Sequence, residues 1–266
     1  MTTTHAAKPR LAASSYLNSA PLIWSFTQGA RKNDVEYVDA VPARCAELLA
    51  SGQADFALVP VIEYQRIEGT LVPDVCVGAL DTVRSVVLAT RFDDLKDVRT
   101  VALDESSRTS AALVKIIFRE FLGVEPRWVS STPNLKQMLK GNDAALLIGD
   151  PAMTFQQQGS HIFDLAHLWR RYTGLGFVFA VWMVGATTTD PNTIDFGAAC
   201  EEGLAKREEI IDFYQPLLGL AREELHTYLY ENICFCINSE LRAGLDLYFK
   251  LAYKHKLIRA LKPWNM

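Results

Sequence analysis

The stretch Val101 to Phe118, VALDESSRTSAALVKIIF, limits what this chain can fold into more than any other. It opens as a short apolar strand, Val101-Ala102-Leu103, and breaks at Asp104-Glu105. Ser106, Ser107, Arg108, Thr109 and Ser110 follow without interruption, and then Leu113, Ile116 and Ile117 recur at helical spacing. A strand that feeds a hydroxyl-rich turn into a helix start makes an anion site. The first-turn N–H groups lack carbonyl partners and the helix dipole is positive there. Capping would use one or two of these hydroxyls, so the uninterrupted run reads as an anion-binding turn.

The same alternation runs through the first two thirds of the chain. Arg10 to Ser15 reads as a strand that ends in the turn Tyr16-Leu17-Asn18-Ser19-Ala20-Pro21, with Pro21 in a first helical turn and Ser19 as its cap. Val35 to Val41 is a second strand, and Pro42 opens a helix that Gly52 closes. Ala54 to Pro60 is a strand, Val61 to Tyr64 a helical turn, and Val75 to Leu80 and Ser85 to Thr90 are further strands. Beyond the central stretch come strands at Pro126 to Ser131 and Ala144 to Ile148, and between them a helix from Pro133 to Lys140 that Gly141 ends. Asp150 is a natural N-cap with Pro151 as first helical residue. Phe177 to Val184 is an apolar strand, and from Ile194 onward the pattern is helical to the end. Strands alternating with helices predict an α/β protein of two blocks with mixed, mostly parallel sheets and a helical C-terminal tail.

Composition removes several classes of function. A net charge of -4 gives no electrostatic support for nucleic-acid binding. The opening MTTTHAAKPR has no apolar core of the kind a secretory signal needs, and the run Phe177 to Val184 is far short of the ~20 residues of a membrane helix. The five cysteines (Cys45, Cys76, Cys200, Cys234, Cys236) are scattered, which predicts reduced thiols in the cytoplasm. The five histidines (His5, His161, His167, His226, His255) have no metal-ligand spacing, and no nucleotide or acyl-serine signature is present. No metal and no cofactor is expected.

Residues suited to a site gather after the predicted strands, where ligands sit in open α/β sheets. They are Tyr16 and Asn18, Pro60, Ser85, the run Ser106 to Ser110, and Gly149-Asp150. Alternatives stand beside each. Asn18 reads equally as a turn residue, Asp150 reads better as a plain cap, and Glu63 reads better as a solvated carboxylate than as a general base. Arg108 could face a cleft or prop the helix from outside. Chemistry without a histidine or metal would rest on positioning a substrate that is itself nearly ready to react.

Six segments in order, YLNSAPL, ALVPVIEY, SVVL, ALDESSRTS, LLIGDPA and TGLGFVFAVW, lie between Tyr16 and Trp182. Together they resemble the chorismate dehydratase family of the futalosine route to menaquinone. The resemblance implies a two-lobed type II periplasmic-binding-protein fold. Residues 1–90 and 185–266 would form the first lobe, 91–184 an inserted second lobe, and hinge strands would lie near 85–90 and 177–184. It also implies loss of water from chorismate to give 3-[(1-carboxyvinyl)oxy]benzoate, with Asn18 catalytic. Tyr16, Pro60, Ser85, Val86, Ser106, Ser107, Arg108, Thr109, Ser110, Gly149, Asp150 and Phe177 would bind the dianionic substrate, with no nucleic-acid or membrane partner. Gly176 departs from the family's TGLPF, where proline is common. Within the same fold, the alternatives are a small-anion solute-binding protein, the later dihydroxynaphthoate-forming enzyme, and the ligand domain of a transcriptional regulator. The second usually carries a cleft histidine, and the third would need a DNA-binding module.

Overall fold

The computed structural model describes residues 8–155 and 159–264. His5 and most of the opening MTTTHAAKPR segment lie outside them. In chain order the first elements are β1 (Arg10–Ala13), α1 (Ala20–Thr27), β2 (Glu36–Asp39), α2 (Pro42–Ala50), β3 (Phe56–Pro60) and β4 (Gly69–Ala79). Next come β5 (Val86–Thr90), β6 (Thr100–Asp104), α3 (Thr109–Ile116), β7 (Arg127–Ser131), α4 (Leu135–Gly141), β8 (Ala144–Ile148), α5 (Gly149–Thr154), β9 (His161–Asp164) and α6 (Leu165–Thr173). The chain closes with β10 (Phe177–Gly185), α7 (Phe196–Ala205), α8 (Arg207–Leu218), α9 (Arg222–Thr227), β11 (Cys234–Cys236) and α10 (Ser239–Lys254).

Two sheets result, ordered β11-β4-β10-β3-β1-β2 and β7-β6-β8-β5-β9. The ladders β1–β2, β1–β3, β6–β7 and β6–β8 are parallel, as strand–helix–strand units require. β10 enters antiparallel to β3 and β4, β11 pairs antiparallel with β4, and β5 lies antiparallel to β8 and β9. The sheets are therefore mixed, and parallel pairing is confined to the strand–helix–strand units. The remaining strands are antiparallel because the chain leaves one sheet for the other and returns. Residues 86–90 lie in the second sheet and residues 177–185 in the first.

The apolar strands read as unbroken runs because both faces are covered. In β8, Ala144, Leu146 and Ile148 face the main core, while Ala145 and Leu147 pack with Val87, Ala102, Met138 and Ala152 on the other side. The C-terminal region departs from its helical reading at β11, whose Cys234-Phe235-Cys236 extends the first sheet beside β4. Ser19 caps no helix with its side chain, and its hydroxyl bonds Asn18 Oδ1 instead. Gly176 lies where a Cβ would come within 2.9 Å of the Ala79 carbonyl oxygen and 2.8 Å of Leu241. Its departure from proline thus coincides with close packing against β4 and α10.

Candidate active site

Between the sheets lies a narrow cleft of about 50 Å³, lined at the carboxyl ends of β1, β3 and β8 and by the turn after β6. One wall carries Ser14, Tyr16, Asn18, Ser19, Pro42, Leu58 and Pro60, and the opposite wall Ser107, Arg108, Thr109, Ser110 and Ile148. Val77, Val86, Phe179 and Ala180 form the apolar floor. No aspartate, glutamate or histidine lines this cleft among the described residues.

The Tyr16–Ser19 turn is built by the exit from β1. Tyr16 stays extended, Leu17–Ser19 make one tight helical turn, and α1 follows with Pro21 in its first turn. Asn18 accepts a bond from Ser19 Oγ at 3.1 Å on Oδ1. Burial and the nearby carboxylates of Asp104 and Asp150 push the Tyr16 phenol up to about 12, so it stays protonated. The turn after β6 is folded on Asp104, whose Oδ1 accepts from the Ser106 N–H at 2.9 Å and from its hydroxyl at 2.6 Å. Ser106 is thereby held behind the cleft wall, while Ser107, Thr109 and Ser110 line it. Thr109 Oγ1 accepts the Ile62 N–H at 3.3 Å, which leaves its own proton to donate.

Contacts across the cleft hold the two walls together. The Leu17 N–H donates to Asp150 Oδ1 at 2.9 Å, and the Ala43 N–H to the Ser106 carbonyl at 3.2 Å. Arg108 spans from α3's start to Glu63 Oε2 at 3.0 Å and Glu47 Oε1 at 2.8 Å. Its guanidinium therefore ties the helix start to the facing lobe, with its stem on the cleft. Glu63, 2% exposed, is held from its other oxygen by Arg66 at 2.8 Å, so neither oxygen is free to act as a base. Asp150 is within α5 rather than its N-cap, which is Ile148. Burial pushes its carboxyl up to about 6 against the opposing pull of the Leu17 N–H. Gly149 has φ +63 and sits so close to Tyr16 that a Cβ would meet the ring at 2.4 Å. Only glycine suits both conditions.

Five anticipated binding residues stand outside the lining: Ser106, Gly149 and Asp150, whose places are given above, and Ser85 and Phe177. Ser85 is fully buried, and its hydroxyl accepts the Tyr228 O–H at 2.6 Å. Its carbonyl takes the Gly149 N–H at 2.8 Å, so Ser85 braces the cleft from behind. Phe177 packs against Trp169 and Tyr248, with ring centroids 5.4 and 4.9 Å away, and supports Phe179, which reaches the cleft. The strand's period of two could have pointed from Phe177 to Phe179. Nothing local marks Leu58, Val77 or Ile148 as lining. The described histidines sit elsewhere: His161 and His167 pair with exposed Asp93 and Asp81, His226 stacks on Tyr230, and His255 binds Glu120. Among the described residues no group of three or more His, Cys, Asp or Glu side chains could hold a metal ion, and no helix is long and apolar enough to cross a membrane.

Comparison with known proteins gives concordant results. A family described as menaquinone biosynthesis matches residues 9–254. A protein of Thermus thermophilus named chorismate dehydratase is 30% identical over 254 residues, covering 88% of this chain and 91% of that protein. A crystal structure of an Archaeoglobus fulgidus protein superposes with a TM-score of 0.76 at 17% identity, covering 96% of this chain and 100% of that one. The periplasmic aliphatic sulphonate binding protein of Escherichia coli gives 0.63 at 16% identity, over 96% and 90% of the two chains. These structural likenesses fix the fold as that of the periplasmic binding proteins.

Proposed function

The chain belongs to the menaquinone biosynthesis family, and from that premise we propose that it is a chorismate dehydratase. In reaction terms it is a hydro-lyase acting on a carbon–oxygen bond. The ring C–H beside the enolpyruvyl ether and the neighbouring C–OH bond break, a ring double bond forms, and water leaves. The product, 3-[(1-carboxyvinyl)oxy]benzoate, is aromatic, so the enzyme's task is to lower a proton-transfer barrier.

The observation that carries this reading is a cleft rich in hydroxyls and lacking any protein base among the described residues. Ser107, Thr109 and Ser110 stand at the start of α3, where hydroxyl donors and the helix dipole favour a carboxylate. The apolar floor of Val77, Val86 and Phe179 suits the ring face. With Glu63 held by two arginines, the group left to take the ring proton is the substrate's own enolpyruvyl carboxylate, held beside it. Asn18, whose amide donates without ionising, orients that carboxylate or the departing hydroxyl. A cytoplasmic location fits the unpaired state of all five cysteines.

The test is incubation of the purified protein with chorismate while following appearance of the aromatic product. Asn18→Ala should lose turnover by on the order of 100-fold or more, the scale of one preorganised donor, while still binding chorismate in a calorimetric titration. Full activity in that variant would remove Asn18 from the mechanism.

A further inference from the structure

The Asn18 amide is free to donate, since Ser19 Oγ takes its Oδ1 and its Nδ2 has no hydrogen-bond partner among the described residues. Where that amide points depends on a turn whose two ends are fixed within the first lobe. Before the turn, the Ser15 N–H and hydroxyl donate to Asp39 at 3.0 and 2.5 Å, and the Ser15 carbonyl accepts the Tyr214 O–H at 2.7 Å. At its end, the Ser19 N–H returns to the Tyr16 carbonyl at 2.9 Å and α1 begins. The polar group left over in the middle is the Leu17 N–H. It opens a tight helical turn, so no carbonyl of that turn can take it. Its partner is Asp150 Oδ1 at 2.9 Å, on α5 of the other lobe. Tyr16 meets the same helix, with its ring against Gly149. The start of α5 is itself pinned, by the Gly149 N–H on the Ser85 carbonyl and by Thr154 Oγ1 on the Asp150 carbonyl at 2.9 Å. Asp150 is therefore a fixed acceptor outside the cleft lining, holding the residue next to Asn18.

We propose that Asp150 is a positioning residue that sets Asn18 in its reactive place only when the lobes are closed. This rests on the dehydratase reading. In an open molecule the Leu17 N–H faces water and Asp150 stays with the other lobe, so the turn loses the contact that fixes its middle. Closure over chorismate seats Leu17 on Asp150 and Tyr16 on Gly149 together, and Asn18, next in the chain, is placed by them. Part of the substrate's binding energy thus goes into assembling the catalytic turn rather than into tighter binding. An anion held at the start of α3 alone, without closure, leaves Asn18 unplaced. Asp150 exchanges no proton with the substrate in this role, because a carboxyl oxygen accepts the Leu17 N–H whether or not the group is ionised.

The test measures kcat and KM for chorismate in wild type, Asp150→Ala and Asp150→Asn, beside thermal melts. Asp150→Ala should lose kcat by on the order of 10- to 100-fold, the scale of a misplaced reacting group, and by more than KM rises. Asp150→Asn keeps an oxygen for the Leu17 N–H and should recover most of the wild-type kcat. A merely structural contact would lower the melting temperature of Asp150→Ala and leave kcat of the folded protein unchanged; that result overturns the proposal. An Asn variant as slow as the Ala variant overturns it too, since the carboxyl would then be a reacting group. Should Asp150→Ala fail to fold, Asp150→Glu decides. It keeps the charge but carries its oxygens a methylene further out, so reduced kcat is expected and wild-type kcat overturns the positioning role. A wild-type protein that forms no aromatic product overturns the dehydratase reading, and the role of Asp150 with it. Aromatic product from wild type and Asp150→Ala at equal kcat overturns the role of Asp150 alone.

Discussion

Burial pushes the Asp150 carboxyl up to about 6 from an ordinary 3.8, so its ionisation lies at a different pH in the folded and unfolded chain. Below 3.8 both states hold the proton and the group contributes no pH dependence. Between 3.8 and about 6 the unfolded chain has released it and the folded chain has not, so stability falls as pH rises; above about 6 the penalty is constant. Asp150→Asn keeps an oxygen for the Leu17 N–H and removes the titration. The melting temperature of wild type should therefore drop relative to this variant as pH rises from about 4 to about 6 and run parallel beyond, in melts of the two proteins across that range. Asp104 and Asp164 titrate in both proteins and cancel in the difference. A gap constant at every pH would remove burial of Asp150 as its cause. At this scale the sequence was only half legible. The hydroxyl run and Asn18 are local patterns, and Asn18 and all of the run but Ser106 line the cleft. Asp150 reads as a cap because cap chemistry is local, whereas its actual partner, Leu17, is 133 residues away. The Ser85 hydroxyl is likewise claimed by a tyrosine 143 residues further on.

Among the elements, α3 does two jobs, and Arg108 at its start joins them. The helix brings its hydroxyls to the cleft, and the arginine fastens that end to α2 and to the turn after β3 through Glu47 and Glu63. Removing it leaves the buried Glu63 with Arg66 alone. Since Arg108 is itself partly exposed, Arg108→Ala should cost about 1–3 kcal/mol, between surface and buried ion pairs. That corresponds to a melting temperature lower by ~2–4 °C per kcal/mol for a chain of this size. KM for chorismate should rise more than kcat falls, because the loss is of closure rather than of a reacting group. Steady-state kinetics beside thermal melts check this; a fall in kcat alone would place Arg108 in the chemistry. Apolar runs placed β8 to the residue, and proline or glycine marked α2 and α4 to within two. β11 was missed because three residues within a helical stretch carry no period of their own, and only β4's open edge makes them a strand. β4 begins at Gly69, six residues before its apolar run, since its first half passes Pro73 and is partly exposed.

For the molecule as a whole, few backbone hydrogen bonds cross the cleft, and the N–H groups of Leu17, Ala43 and Ile62 donate them. Opening the lobes releases all three at once, while the sheets behind them stay intact. These amides should exchange with solvent much faster than those of β3 or β8 in the free protein, and become protected together when chorismate or its product is bound. Hydrogen exchange followed by mass spectrometry would show this, and unchanged exchange in that set on binding would mean that ligand does not close the cleft. The order of strands in the first sheet has a consequence for the nascent chain. β10 lies between β3 and β4, so β4 has no neighbour in its sheet until residues 177–185 have been made. Every strand of the second sheet, by contrast, falls within residues 86–164. As the chain leaves the ribosome the inserted lobe can complete its sheet first. In the lobe that holds the amino terminus, β1, β2 and β3 can pair early, but β4 must wait unpaired for the chain to come back.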